Sequence, residues 1–268
     1  MNNTTAGELG NTLPVGIDGD GGVRARSFDF RPWRGKDERV IGTLRDKNRS
    51  MPPGQFATRV LAYFLTHWGQ RSLDGLGDRE KWHLIASSYV ADVLYAWVAL
   101  RRKAMGDTIE MSITCPVCHK VFPFRGNLSD LPVTVVDEND ILREPYALKD
   151  GFNYLGDESN ALTLEPPRWS MYENLGAEGL NIGAIKMRTI GASIVAVGDK
   201  EARVAAEQLD ELTKRDLEEL YAQVSERQLG PDMRVDTVCL GCGFAMNRSL
   251  AWGYESFFSA TSSSDGSL

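Results

Sequence analysis

Four cysteines stand in two C-x-x-C pairs, Cys115 and Cys118 in CPVCH and Cys239 and Cys242 in CLGCG, and the chain has no others. This spacing admits three chemistries: attachment of c-type haem through C-x-x-C-H, a redox-active dithiol, or thiolate ligation of a metal. Haem attachment calls for export and for a histidine after the pair. The amino terminus MNNTTAGELG has neither a basic nor an apolar run, and Gly243 follows the second pair. A thioredoxin-like dithiol gives one pair a role and leaves the other idle. Disulfides are disfavoured in the reducing cytosol where a chain with this amino terminus is expected to be made.

Zinc uses all four sulfurs at once, because it takes tetrahedral thiolate ligands and each C-x-x-C turn aims two sulfurs at a point about 2.3 Å away. The expected ligands of one Zn²⁺ are therefore Cys115, Cys118, Cys239 and Cys242. His119 can replace a sulfur only with strain, since it adjoins Cys118. Four thiolates leave no open position for water or substrate, so the expected metal fastens the fold and does no chemistry.

These ligands need turns to present them. Strand-like runs precede each pair, MSIT and VDTV, and apolar runs follow, KVFPF and FAMNRSL. Two knuckles on β-hairpins, a zinc-ribbon arrangement, are predicted, with Pro116 and Gly243 suited to tight turns. Residues 119–238, 120 in number, separate Cys118 from Cys239. A compact ribbon has roughly 15 to 20 there, so the knuckles must meet across a large insertion.

Farther along the chain, LPVGIDGDGGVRARSFDF reads as a hairpin, VRARSFDF alternating like a half-buried strand. Asp18 and Asp20 suit its turn better than a calcium loop, since Asp29 stands where glutamate should close one. KDERVIGTLRDK and QFATRVLAYFLTHWG read as helices, and so does one long stretch from Asp78 to Met105, with Trp82, Ile85, Tyr89, Val93, Ala96 and Leu100 on one face. Arg101, Arg102 and Lys103 complement its carboxyl end. Short strands are expected from Leu131 to Leu164, then a loop and short helical turn, then a buried element in IGAIKMRTIGASIVAVGDK that suits helix and strand alike. DKEARVAAEQLDELTKRDLEELYAQVSERQLG reads as helix, with Thr213 and Asp216 as a capping pattern. The fold class expected is α+β: a helical N-terminal part and a mixed α/β insertion joined by the four-cysteine site. The boundaries are a flexible arm at 1–12, a hairpin and helical domain at 13–106, a ribbon-like domain at 107–258 with its insertion at about 131–232, and a flexible tail at 259–268.

Of 268 residues, 37 are acidic and 30 basic, a net charge of -7. That balance disfavours phosphate backbones and anionic lipid and favours a protein partner. The most apolar stretch, Trp82 to Leu100, is interrupted by His83 and Asp92, short of a membrane span. No glycine-rich phosphate loop, G-x-S-x-G or H-E-x-x-H occurs, so no enzymatic role or small-molecule substrate is expected. The alternative is a zinc-ribbon adaptor binding nucleic acid or a regulatory protein, using His119, Lys120, Arg125 and Arg248.

The order of short motifs is informative. RPWRGKDE, GDREK, AMGDTI before the first C-P-x-C, NLSDLPV, LTKRDLEEL, and CLGCG followed by SLAWGYESFF resemble the baseplate hub assembly proteins of contractile-tailed bacteriophages, in their zinc-bearing members. The resemblance covers roughly residues 13 to 258. It implies a structural or chaperone-like part of the baseplate or of a related contractile injection system. Its expected location is the virion tail or, during assembly, the host cytoplasm, and its expected partners are other tail proteins. The four cysteines alone carry over as a site.

Overall fold

The computed structural model describes residues 1–18, 23–47, 49–138, 140–173, 182–250 and 252–258. The expected tail at 259–268 and the glycine-aspartate turn at 19–22 lie outside the described residues.

The first twelve residues are no loose arm. Strand β1 (Asn2–Thr5) pairs antiparallel along 132–135, and the one-turn helix α1 (Ala6–Leu9) is closed by a capping box between Thr5 and Glu8. Ala6 is fully buried, and the Tyr95 hydroxyl donates to the carbonyls of Ala6 and Gly10 at 3.1 and 2.7 Å. The segment docks mainly through its backbone, which a low apolar content does not reveal.

Strands β2 (Thr12–Asp18) and β3 (Arg24–Phe30) form the expected hairpin, β3 burying Ala25, Phe28 and Phe30. Helix α2 (Gly35–Lys47) follows, then α3 (Pro53–Phe64), β4 (Leu65–Trp68) and β5 (Arg71–Ser72). The expected second helix thus ends at Phe64: LTHW adds a strand to β3, Phe28 opposite Trp68 and Phe30 opposite Leu65. The N-terminal part is accordingly mixed, its helices lying against a β2-β3-β4-β5 sheet.

The long helix expected at 78–105 is two, α4 (Asp78–Ala86) and α5 (Val90–Met105). Backbone groups at the break are claimed from outside: the Ser88 carbonyl accepts from Trp169 N (2.8 Å), and Val90 N donates to the Pro167 carbonyl (3.0 Å). The Ser87 and Ser88 hydroxyls turn back to the Leu84 carbonyl, competing with the helix.

Hairpin β6 (Thr108–Thr114) and β7 (Val121–Asn127) comes next, then β8 (Pro132–Val135), β9 (Glu144–Tyr154), β10 (Asp157–Leu164) and the short helix α6 (Trp169–Tyr172). The ambiguous stretch resolves into both forms, helix α7 (Ile182–Ser193) running into β11 (Ile194–Val197), with β12 (Lys200–Glu201) after the turn. The helix expected from Asp199 onward is shorter: a 3-10 turn spans Ala206–Glu211 and α8 runs Lys214–Glu226. Thr213 caps α8, accepting from Asp216 N at 3.3 Å. Asp216 is itself fully buried, and its carboxylate accepts from Lys149 N and Asp150 N, both at 2.9 Å. Helix α8 thereby closes the open edge of β9.

Strands β13 (Gly230–Pro231), β14 (Arg234–Val238) and β15 (Ala245–Ser249) and helix α9 (Tyr254–Phe258) complete the described chain. The sheets run β1-β8-β13 and β12-β11-β10-β9, and β6-β7 and β14-β15 stand as separate hairpins. One core gathers α3, α5, β3 and β4 around Trp68, Tyr95, Trp97 and Trp169. A second, inside the insertion, packs Leu148, Phe152 and Leu162 of the sheet against Ile190 and Leu220 of α7 and α8. Arg143 and Arg168 converge on the buried Glu165 carboxylate, at 3.0 and 2.5 Å, and join the two. Among the described residues no helix is long and apolar enough to cross a membrane.

Candidate metal centre

Each C-x-x-C pair forms the turn of a hairpin, Cys115 and Cys118 between β6 and β7, Cys239 and Cys242 between β14 and β15. The two turns repeat one bonding pattern. Cys115 N donates to the Lys120 carbonyl and His119 N to the Cys115 carbonyl, both at 3.0 Å, while Val117 N points at Cys115 Sγ (3.4 Å). In the second turn Cys239 N donates to the Phe244 carbonyl and Gly243 N to the Cys239 carbonyl, both at 2.9 Å, and Gly241 N points at Cys239 Sγ (3.3 Å).

The turns meet. All four sulfurs lie within 4.8 Å of one another, with Cys115 Sγ 3.7 Å from Cys242 Sγ and Cys118 Sγ 3.6 Å from Cys239 Sγ. A tetrahedron with bonds of about 2.3 Å has edges of about 3.8 Å, so these separations suit one four-coordinate ion. They greatly exceed the ~2.05 Å of a disulfide. Cys115 and Cys239 are buried on Ile113, Phe122 and Met246; Cys242 is exposed.

Electrostatics agrees with a cation site. Burial pushes the Cys115 thiol up, but N–H groups of Cys118 and Val117 and the neighbouring sulfurs outweigh it and bring it down to about 6. Cys239 is lowered in the same way, against its burial, chiefly by the N–H groups of Cys242 and Gly241. Cys242 goes the other way, to about 12: the Phe244 N–H lowers it, but burial and the three facing sulfurs prevail. Sulfurs this close do not all ionise unless a cation sits among them.

His119 lies outside the group of sulfurs. It occupies the place that Gly243 fills in the other turn, and both are left-handed, at φ 57° and 74°. A non-glycine residue there costs about 1 kcal/mol. His119→Gly is therefore expected to leave the four-thiol cluster in place and raise the thermal midpoint by about 2 to 4 °C, measured by calorimetry.

Both hairpins are rooted on α5. Arg101, 4% exposed, donates to the carbonyls of Gly106 (2.9 Å) and Thr108 (3.1 Å) at the base of β6 and of Phe257 (2.7 Å) in α9. Below β14, Gly230 (φ 85°) presses so close to Ala91 that an added Cβ would stand 2.7 Å from its Cα. Arg101 is thus an internal strut where a dipole partner was expected; it follows Trp97 by four residues, a spacing that places it on the buried face. The other two cations of the run bond to Asp107 and Asp29.

Fold and site together define a mixed α/β protein in which two C-x-x-C hairpins, distant in sequence, close on a metal-compatible cluster of four thiols. The span from α4 to the end of α9 includes both hairpins and the insertion between them. Residues 79–259 match the model of the T4 bacteriophage base plate protein family, and the chain belongs to that family. It is a phage baseplate structural protein of the virion tail, with other tail proteins as its partners. No curated protein and no solved structure matches it.

Proposed function

We propose that this chain is a zinc-fastened component or assembly factor of the baseplate hub of a contractile tail, one Zn²⁺ being held by Cys115, Cys118, Cys239 and Cys242. The cross-hairpin sulfur separations of 3.6 and 3.7 Å carry the metal part of this reading. When bound, the ion ties β6-β7 to β14-β15 and so closes a loop of more than a hundred residues. Its role is architectural, since four thiolates saturate a tetrahedral ion.

A docking role for the clasp follows from its surface. Val117, Val121, Val238, Leu240 and Phe244, each within three residues of a cysteine, are 43–79% exposed. Exposed apolar residues clustered at one tip suit a protein partner. The nucleic-acid alternative draws little support, because Arg125 pairs with Glu110 (3.4 Å) and Arg248 reaches the Thr114 carbonyl (3.4 Å), leaving Lys120 and His119.

The deciding experiment is quantitative mass spectrometry of purified particles, counting this chain against the tail-tube protein, with zinc measured on the purified chain. A fixed low ratio and one zinc per chain are expected for an integral part. Abundance in the lysate with absence from particles marks a departing assembly factor. Absence from both sinks the baseplate-hub reading.

A further inference from the structure

We propose that Lys120 is the charge-compensating residue of the clasp: its stem lies across Gly241 of the opposite turn, and its ammonium offsets the negative charge that four thiolates leave around a metal ion. The inference rests on the zinc reading above. Four thiolates more than neutralise a Zn²⁺ ion, so the closed site is an anion, and an anion partly buried among apolar side chains gains from a cation held beside it.

Gly241 reveals the course of the Lys120 side chain. A Cβ added there would stand 2.6 Å from Lys120 Cδ, 3.6 Å from its Cε and 3.6 Å from Cys118 Sγ. The lysine at the foot of the first turn therefore crosses the second, its outer stem running beside the cluster. Gly241 is not one of the left-handed glycines, so its backbone does not call for glycine; the passage of Lys120 is what leaves no room for a side chain. The two turns serve as each other's control. Val117 fills the equivalent place in the first, its N–H aimed at Cys115 Sγ as Gly241 N is at Cys239 Sγ, and its side chain is 57% exposed. The Lys120 carbonyl accepts from Cys115 N at 3.0 Å, so the backbone pins this residue at the root of the knuckle. Among the described residues the Lys120 ammonium has no acidic or hydrogen-bond partner. Arg125 and Arg248, by contrast, are held by Glu110 and by the Thr114 carbonyl. An unpaired ammonium tethered within reach of an anionic cluster is the arrangement that charge compensation requires.

The test measures Zn²⁺ affinity of the full chain by competition with a chelator. Lys120→Met keeps an unbranched stem over Gly241 and removes the charge; it is expected to weaken the Kd for Zn²⁺ about tenfold at low salt. Lys120→Arg should stay within about twofold of wild type, and the deficit of Lys120→Met should shrink to about threefold in ~0.5 M NaCl, because salt screens a partly exposed charge. Gly241→Ala, which pushes the stem aside, is expected to weaken binding about fivefold in the wild type and less than about twofold in Lys120→Met, since the two changes act through one contact. Unchanged affinity in Lys120→Met, a deficit indifferent to salt, or an equal deficit in Lys120→Arg overturns charge compensation. Additive effects of Gly241→Ala and Lys120→Met overturn the crossing of the stem between the turns. A wild-type chain that binds no zinc overturns the zinc reading and this proposal together, whereas zinc bound equally well by wild type and Lys120→Met overturns this proposal alone.

Discussion

Cys115→Ser is expected to abolish zinc binding and to lower the thermal midpoint by about 10 °C. An ion present at a thousand times its Kd stabilises the folded state by about 4 kcal/mol, and a chain of this size shifts by about 2 to 4 °C per kcal/mol. Cys115 is the proposed ligand to change because it is fully buried and its sulfur stands at the junction of both hairpins. The loss should reach beyond the clasp. Freeing the hairpin tips relaxes the chain on both sides of the insertion, so amide exchange should rise in β6, β7, β14 and β15 and at the Gly230–Ala91 contact. Exhaustive chelation of the wild-type protein should give the same midpoint as the variant. If zinc measured by mass spectrometry stays at one per chain in Cys115→Ser, the assignment of that ligand is wrong.

Asp92→Ala is expected to remove about 3 kcal/mol at about pH 4, read from urea or guanidinium unfolding. The carboxyl is fully buried, and it accepts from Val15 N at 2.8 Å and from Gly16 N at 3.0 and 3.2 Å. Gly16 is at φ 88°, where the β2-β3 register shifts, so these N–H groups have left the ladder and depend on Asp92. Two buried donors left without acceptors cost about 1 to 3 kcal/mol each.

The same group sets a pH dependence of unusual sign. Burial raises the Asp92 pKa to about 6, although the two N–H groups, Arg26 and Arg168 pull it back. The folded value lies above the unfolded ~3.9, so the folded state holds this proton more tightly. The stabilisation is complete below about pH 4 and is lost as pH rises through about 6, by up to about 3 kcal/mol. Asp37 works in the opposite direction: the Arg31 guanidinium, with Arg34 N and the Tyr63 hydroxyl, holds it down to about 2 against its burial, so its contribution is lost only as pH falls toward 2. Subtracting the profile of Asp92→Asn from that of the wild type isolates Asp92. A flat difference between pH 4 and 7 would contradict a carboxyl buried in this way.

Local chemistry carried the site into view from the sequence. C-x-x-C spacing, strand runs on both sides and turn-forming residues are short-range features, and the structure builds both hairpins where those features stand. The Thr213 cap was legible for the same reason, since a hydroxyl and an N–H three residues apart need no tertiary partner. The amphipathic runs of α2 and α3 also kept their helical form over most of their length, and the last of the expected helices kept it in its latter part, as α8.

Other features were settled by distant backbone groups. Residues 87–89 have good helical periodicity, yet the helix breaks there because Pro167 and Trp169 claim the Ser88 carbonyl and the Val90 N–H. LTHW continues an apolar helical stripe, yet β3 offers it a ladder. The first residues, poor in apolar side chains, dock by strand pairing and by the Tyr95 hydroxyl. Arg101, read as a dipole partner, Asp216, read as part of a cap, and Asp92, read only as a break in an apolar run, are buried, each because several carbonyl or N–H groups from elsewhere converge on it. The sequence by itself determined which atoms form the four-thiol cluster and the turns that present them, because a knuckle is written within a few residues. Only the tertiary structure decided how closely the two turns face each other, with sulfurs 121 and 127 residues apart brought to 3.6 and 3.7 Å, and where helices stop, because those outcomes depend on groups brought together from distant parts of the chain.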